Sequence, residues 1–232
     1  MTQTAVVFGA TGLVGKELVF ELLESQNYLK IIAVVRKKLT ISHSRLEQVL
    51  IGDFSELTQI NDKLNADVYY CCIGTTIKKA GSQEAFRKVD FDIPLTIAKL
   101  AQELSILHLV VISSLGANAS ASNFYLRTKG EMEKVVMETF KGNLKFVRPS
   151  LLMGNRDEFR LGEKIAVWSF KVLNVFMFGP LKKYKGIYAW DVARAMIKAT
   201  ELPKEKTIVE SDELQDLAMK SGIKHNPHEL VA

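Results

Sequence analysis

Ala5-Val6-Val7-Phe8-Gly9-Ala10-Thr11-Gly12-Leu13-Val14-Gly15 is the stretch that decides the fold. Its first four residues are apolar, as in a buried parallel strand. The three glycines follow at a tight strand-to-helix turn, where the backbone bends and lies close to a phosphate. Lys16-Glu17-Leu18-Val19-Phe20-Glu21-Leu22-Leu23 continues as an amphipathic helix. The exposed amides from Thr11 and Gly12 through Leu13 and Val14 are then placed to hold a pyrophosphate. The glycines are spaced G-x-x-G-x-x-G rather than G-x-G-x-x-G, an altered form of the dinucleotide fingerprint. The competing reading is a plain tight turn.

Further strands are expected at Ile31 to Val35, Leu46 to Ile51, Asp67 to Ile73, Leu109 to Ile112 and Leu144 to Val147. The second ends in Arg36-Lys37-Lys38, where an NAD site carries an acid for the ribose 2′-hydroxyl. A cation there suits a 2′-phosphate, which an acid would repel; otherwise these are solvated residues of a turn. Asp53, with Phe54 packing nearby, either accepts from an adenine amino group or caps the helix that begins near Ser55. Ile73, Gly74 and Thr75 close the fourth strand, and Gly74 lets the backbone lie against a cofactor. A helix is expected from about Ser82 to Leu104, with Pro94 either kinking it or dividing it.

The fifth strand ends in two hydroxyls, Ser113 and Ser114. After a small, polar loop, a helix begins near Asn123 and carries Tyr125 and Lys129. Residues four apart share a helix face, so the ammonium stands beside the phenol and eases loss of its proton. That suits a general acid, with the serines placed to hydrogen-bond the same substrate oxygen. A Tyr-x-x-x-Lys also arises by chance; its weight comes from following the Ser-Ser strand in a chain that opens with the glycine turn.

The 232 residues, 47% of them hydrophobic, suffice for the core of one α/β domain. A net charge of +5 is compatible with a phosphorylated cofactor or simply with a solvated surface. The basic residues form no single stripe, so nucleic acid is not an expected partner. The first residues lack the pattern of a signal peptide, and the apolar run from Ile165 to Phe178 is too short and too polar to span a bilayer. Its Trp168, Phe170, Phe176 and Phe178 read as core or pocket wall. Cys71 and Cys72 are adjacent on a buried strand, which makes them reduced core residues and points to a cytoplasmic protein. No metal site is expected.

The chain resembles the atypical short-chain dehydrogenases/reductases, in the branch of the HIV Tat-interacting oxidoreductase-like proteins. The motifs are Gly-Ala-Thr-Gly-Leu-Val-Gly from Gly9, Arg-Lys-Lys-Leu-Thr from Arg36 and Cys-Cys-Ile-Gly-Thr-Thr from Cys71. Ser-Ser-Leu-Gly-Ala from Ser113, Tyr-Leu-Arg-Thr-Lys-Gly from Tyr125 and Arg-Pro-Ser-Leu-Leu from Arg148 complete the set. The resemblance implies an NADP(H) site at Gly9, Thr11, Gly12, Gly15, Arg36, Lys37, Ile73, Gly74, Tyr125, Lys129, Leu152 and Arg160. It gives Tyr125 the proton-donor position, Lys129 the nicotinamide ribose and Ser114 the catalytic serine. Asp90 departs from the pattern, since typical members carry an Asn in that region.

The expected architecture is a Rossmann-type doubly wound parallel sheet, order 3-2-1-4-5-6 with room for one more strand. Residues 1–232 form one domain, in which about 150–200 cover the substrate side. The expected function is NADPH-dependent hydride transfer to a carbonyl or similar small-molecule acceptor; the alternative is an NADPH-sensing protein without physiological turnover. Either a monomer or a homodimer fits.

Overall fold

The computed structural model describes residues 2–154 and 179–220. The expected loop at 155–160, the helix around 165–178 and Arg160 lie outside the described residues. Strand β1 (Gln3–Phe8) leads into helix α1 (Leu13–Glu24), followed by β2 (Tyr28–Val35), β3 (Leu46–Leu50) and β4 (Val68–Cys71). Next come a short α2 (Ile77–Ala80), α3 (Gln83–Arg87), α4 (Ile93–Glu103), β5 (His108–Ile112), α5 (Phe124–Thr139) and β6 (Asn143–Arg148). The late part contributes β7 (Leu152–Met153), β8 (Ile187–Tyr188), α6 (Ala189–Ala199), β9 (Ile208–Glu210) and α7 (Ser211–Met219).

One parallel sheet runs β3-β2-β1-β4-β5-β6-β9, so the expected order is present and β9 is the additional strand. Helices cover both faces, which is why the strands read as continuous apolar runs. Side chains alternate strictly: Ala5 and Val7 join the core under α1 and α6, whereas Val6 and Phe8 join the core under α4 and α5. Alternate residues of β2 and β5 divide in the same way.

Strand order reverses between β1 and its two neighbours, β2 on one side and β4 on the other. At such a switch point the loops after adjacent strands diverge and leave a crevice beyond their carboxyl ends. The glycine turn, the ends of β2 and β4 and the serines after β5 all border that edge.

The predicted helix of residues 82–104 is helical almost throughout, with Ser82 capping its start by accepting from the Ala85 amide. Pro94 stands in the first turn of α4, so of its two expected effects the division is the one present. Lys88–Asp92 forms a π-helical turn between the two pieces, and the Ile93 amide donates to the carbonyl of Lys88. In an α-helix the Pro94 ring would crowd the Asp90 carbonyl and leave it without a donor; the wider turn relieves both.

The late segment is more regular than its sequence suggested. The two-stranded β7-β8 sheet has no counterpart in the sequence reading, because two-residue strands carry no period; the nine-residue helix α7 is a further addition. Among the described residues no helix is long and apolar enough to cross a membrane.

Candidate functional site

The three glycines of the first turn differ in what they do. Gly9 has φ +84°, and a Cβ on it would stand 2.9 Å from the carbonyl of Cys72 at the end of β4. Gly15 lets α1 sit on the turn, since its Cβ would fall 2.1 Å from the Gly9 oxygen. Gly12 has an ordinary φ of −79° and is exposed; among the described residues its Cβ would meet only the Gly9 oxygen, at 3.2 Å. Folding thus demands Gly9 and Gly15, while the space over Gly12 faces outward. Among the described residues no side chain caps α1, and its first turn contains no acid. The amides of that turn are therefore suited to an anion brought from outside. Thr11 is exposed, Leu13 is half-buried, and Val14 is buried beneath them.

Arg36 and Lys37 are exposed directly after β2. Asp53 makes the cap: Oδ1 accepts from the Ser55 amide at 2.8 Å, and Glu56 returns to the Gly52 and Asp53 amides. The bond from Ser55 holds the Asp53 carboxyl below its usual range, and the charge of Arg36 adds to the effect. The two residues thus belong to one rim, across the ends of β2 and β3. Phe54 is half-buried and packs on the core.

β4 stops at Cys71, so Ile73, Gly74 and Thr75 belong to the loop beyond it. Ile73 is buried and Gly74 exposed, which presents backbone to the crevice. Burial pushes the Cys71 thiol up to about 12 and raises Cys72 as well, so both are poor nucleophiles.

Ser113 and Ser114 follow β5. Ser113 is buried, and its Oγ has no hydrogen-bond partner among the described residues. Ser114 is half-buried, its Oγ donating a long 3.4 Å bond to the Leu115 carbonyl. Asn123 caps α5 by accepting from the Leu126 amide. Gly130 brings that helix against the serine loop, since a Cβ there would stand 2.2 Å from Ala119 N and Asn118 C.

Tyr125, in the first turn of α5, is half-buried, with its ring centroid 5.5 Å from that of Phe86. Lys129 is 2% exposed, and its Nζ lies 2.7 Å from Oδ1 of Asp90. Burial works to lower its pKa, but Asp90, assisted by Tyr125, outweighs burial and holds the ammonium above its ordinary pKa. The expected phenol-ammonium pair is thus a triad with an acid. Sequence reading noted Asp90 only as a departure from a pattern; its signal was an acid between Val89 and Phe91 in a helical stretch.

Leu152 is half-buried on β7 and packs on the α1 side of the core, as does Leu13. Two residues on, a Cβ at Gly154 would come within 2.9 Å of Leu13. The segment after β6 therefore crosses the start of α1, on the same edge as the glycine turn.

Residues 9–168 match the model of an NAD(P)H-binding family. The chain is 36% identical over 167 residues to Protein HTATIP2 of Rattus norvegicus, covering 71% of this chain and 69% of the relative. Protein FMP52, mitochondrial, of Candida albicans is 36% identical over 170 residues, covering 71% and 74%. Among solved structures, UDP-glucose 4-epimerase of Thermotoga maritima superimposes with a TM-score of 0.67 at 15% identity, covering 97% of this chain and 84% of that one. The GalE-like L-threonine dehydrogenase of Cupriavidus necator gives 0.67 at 16%, covering 93% and 88%. At such identities the likeness is one of fold.

One expectation is overturned. The cytoplasmic assignment rested on reduced cysteines, but the fungal relatives are named as mitochondrial proteins. Reduced thiols separate oxidising compartments from reducing ones and do not choose among the latter. From sequence, family model and fold together, the chain belongs to the NAD(P)H-binding proteins of the atypical short-chain dehydrogenase/reductase family, alongside HTATIP2 and FMP52.

Proposed function

We propose that the chain is an NADPH-dependent oxidoreductase that reduces a carbonyl or a similar group on a small molecule. The observation that supports this most is the uncapped glycine turn sharing one sheet edge with Arg36 and with the Ser114, Tyr125 and Lys129 side chains. In this reading the amides of residues 11–14 take the pyrophosphate, and Leu152, on the same edge, contacts the nucleotide. Arg36 and Lys37 pair with the 2′-phosphate, and Gly74 and Thr75 bring backbone against the nicotinamide half. The bound dinucleotide supplies a hydride. Tyr125 Oη gives its proton to the developing oxyanion, Ser114 Oγ donates a hydrogen bond to the same atom, and Lys129 faces the phenolate left behind.

A second reading is a sensor that binds NADPH and turns over nothing physiologically. Asp90 favours it, since it occupies the region where typical members carry Asn and shares the charge of Lys129. A titration of NADPH, followed by NADPH absorbance with aldehydes, ketones and quinones, decides between them. Reduction of any carbonyl supports the enzyme. Binding without turnover supports the sensor, and absence of binding refutes both.

A further inference from the structure

Asp90 is 1% exposed and lies in the π-helical turn between α3 and α4. Such turns within longer helices frequently mark functional positions. Its two oxygens serve different elements. Oδ1 lies 2.7 Å from the Lys129 ammonium on α5, and Oδ2 accepts from the Thr75 amide at 2.8 Å, in the loop after β4. Between them lies Gly74, where a Cβ would stand 3.4 Å from Asp90 Oδ1 and 3.9 Å from Lys129 Nζ. One carboxylate therefore ties a helix to the exposed backbone that borders the crevice. Apolar residues of equal volume would join these elements as firmly, because burying two charges costs about what their attraction returns. What the ion pair adds is direction: it fixes one ammonium at one place beside Gly74.

We propose that Asp90 is the positioning residue of the nicotinamide half of the site, holding the Lys129 ammonium charged and in place beside the Gly74-Thr75 backbone to meet the ribose hydroxyls. The proposal rests on the nucleotide reading above. The groups that face Lys129 are Asp90 from the π turn, Tyr125 from its own helix and the Cys71 thiol from β4. Of these Asp90 is the carboxylate, so it sets the charge.

The test uses the full-length chain, with NADPH and with adenosine 2′,5′-bisphosphate, which lacks the nicotinamide half. Asp90→Asn keeps an oxygen for the Thr75 amide and removes the charge. It should weaken NADPH about tenfold or more, the scale of a charge-assisted hydrogen bond, and leave the bisphosphate within about twofold. On a Lys129→Met background, the same change should cost NADPH less than about twofold, since the two residues act as one unit. Should Asp90→Asn alone fail to fold, comparing the double variant with Lys129→Met carries the test. NADPH binding like wild type, equal loss of both ligands, or additive losses would each overturn the proposal. A wild type that binds neither ligand would overturn the nucleotide reading itself.

Discussion

The carbonyl oxygen of Gly9 lies where a side chain on Gly15 would begin, 2.1 Å from the missing Cβ. The first helix is thereby seated on the first turn, and this contact sets where the amides of α1 point. The same turn leaves Gly12 exposed, with no comparable obstruction. Folding thus requires Gly9 and Gly15, and Gly12 is the glycine left free for the proposed nucleotide contact.

Gly15→Ala should therefore lower stability by about 1–3 kcal/mol, the usual cost of overpacking against backbone. Gly12→Val should melt cooperatively, within about 1 kcal/mol of wild type, yet lose NADPH binding. Thermal melts paired with nucleotide titration check this. Normal NADPH binding by Gly12→Val would place the pyrophosphate elsewhere.

Arg36 stands exposed after β2, where an acid would select NADH. NADPH should bind at least about tenfold tighter than NADH, or about 1.4 kcal/mol. Arg36→Asp should reverse the order. Fluorescence titration of both nucleotides is sufficient, and equal affinities in the wild type would remove the 2′-phosphate role.

Tyr125→Phe keeps the ring beside Phe86 and removes only the hydroxyl. Affinity for NADPH should change by less than about tenfold. Carbonyl reduction should fall by about a hundred- to ten-thousandfold, the worth of a positioned general acid. Equal turnover by the variant would show that Tyr125 is not the acid.

Glu21 on α1 and Arg194 on α6 form a buried pair, Oε1 to Nε 2.9 Å, that joins elements 173 positions apart. Glu21→Gln leaves the guanidinium without its counter-charge and should cost about 3–5 kcal/mol. Replacing both, as Glu21→Leu with Arg194→Met, should be milder than the single change. Urea unfolding of the three proteins measures the difference; a double variant worse than the single one would refute it.

His108, at the start of β5, is held below its ordinary pKa of 6.5 by burial and by the charge of Lys145, against a smaller pull from Asp67. Neutral, its Nδ1 accepts from the Asn143 amide at 3.1 Å. The folded state thus binds fewer protons here than the unfolded one below that value. Its contribution to stability is full above pH 6.5 and is lost as the pH falls through the folded pKa. Wild type should lose more stability than His108→Gln between pH 7.5 and pH 5; parallel losses would exclude His108 as the cause.

The run Ala5 to Gly15 determined the fold by itself. Strand, three glycines and helix are local signals, and continuous apolar strands separated by helices leave a parallel sheet as the consistent arrangement. The positions of Arg36, Ser114, Tyr125 and Lys129 were legible for the same reason: each is fixed by the end of a strand or by the turn of a helix. What joins them was not legible. Asp90 reaches Lys129 and Thr75 across 39 and 15 residues, and Arg148 reaches Glu133 and Glu210 from the end of β6. No period in the chain encodes such pairings, because burial and charge choose partners only after the sheet has set the helices side by side. The pairing of β7 with β8 belongs to the same class, since its hydrogen bonds exist only once the neighbouring elements are in place. The cap at Asp53, by contrast, was one of the readings open in the sequence, because its partner Glu56 is three residues away.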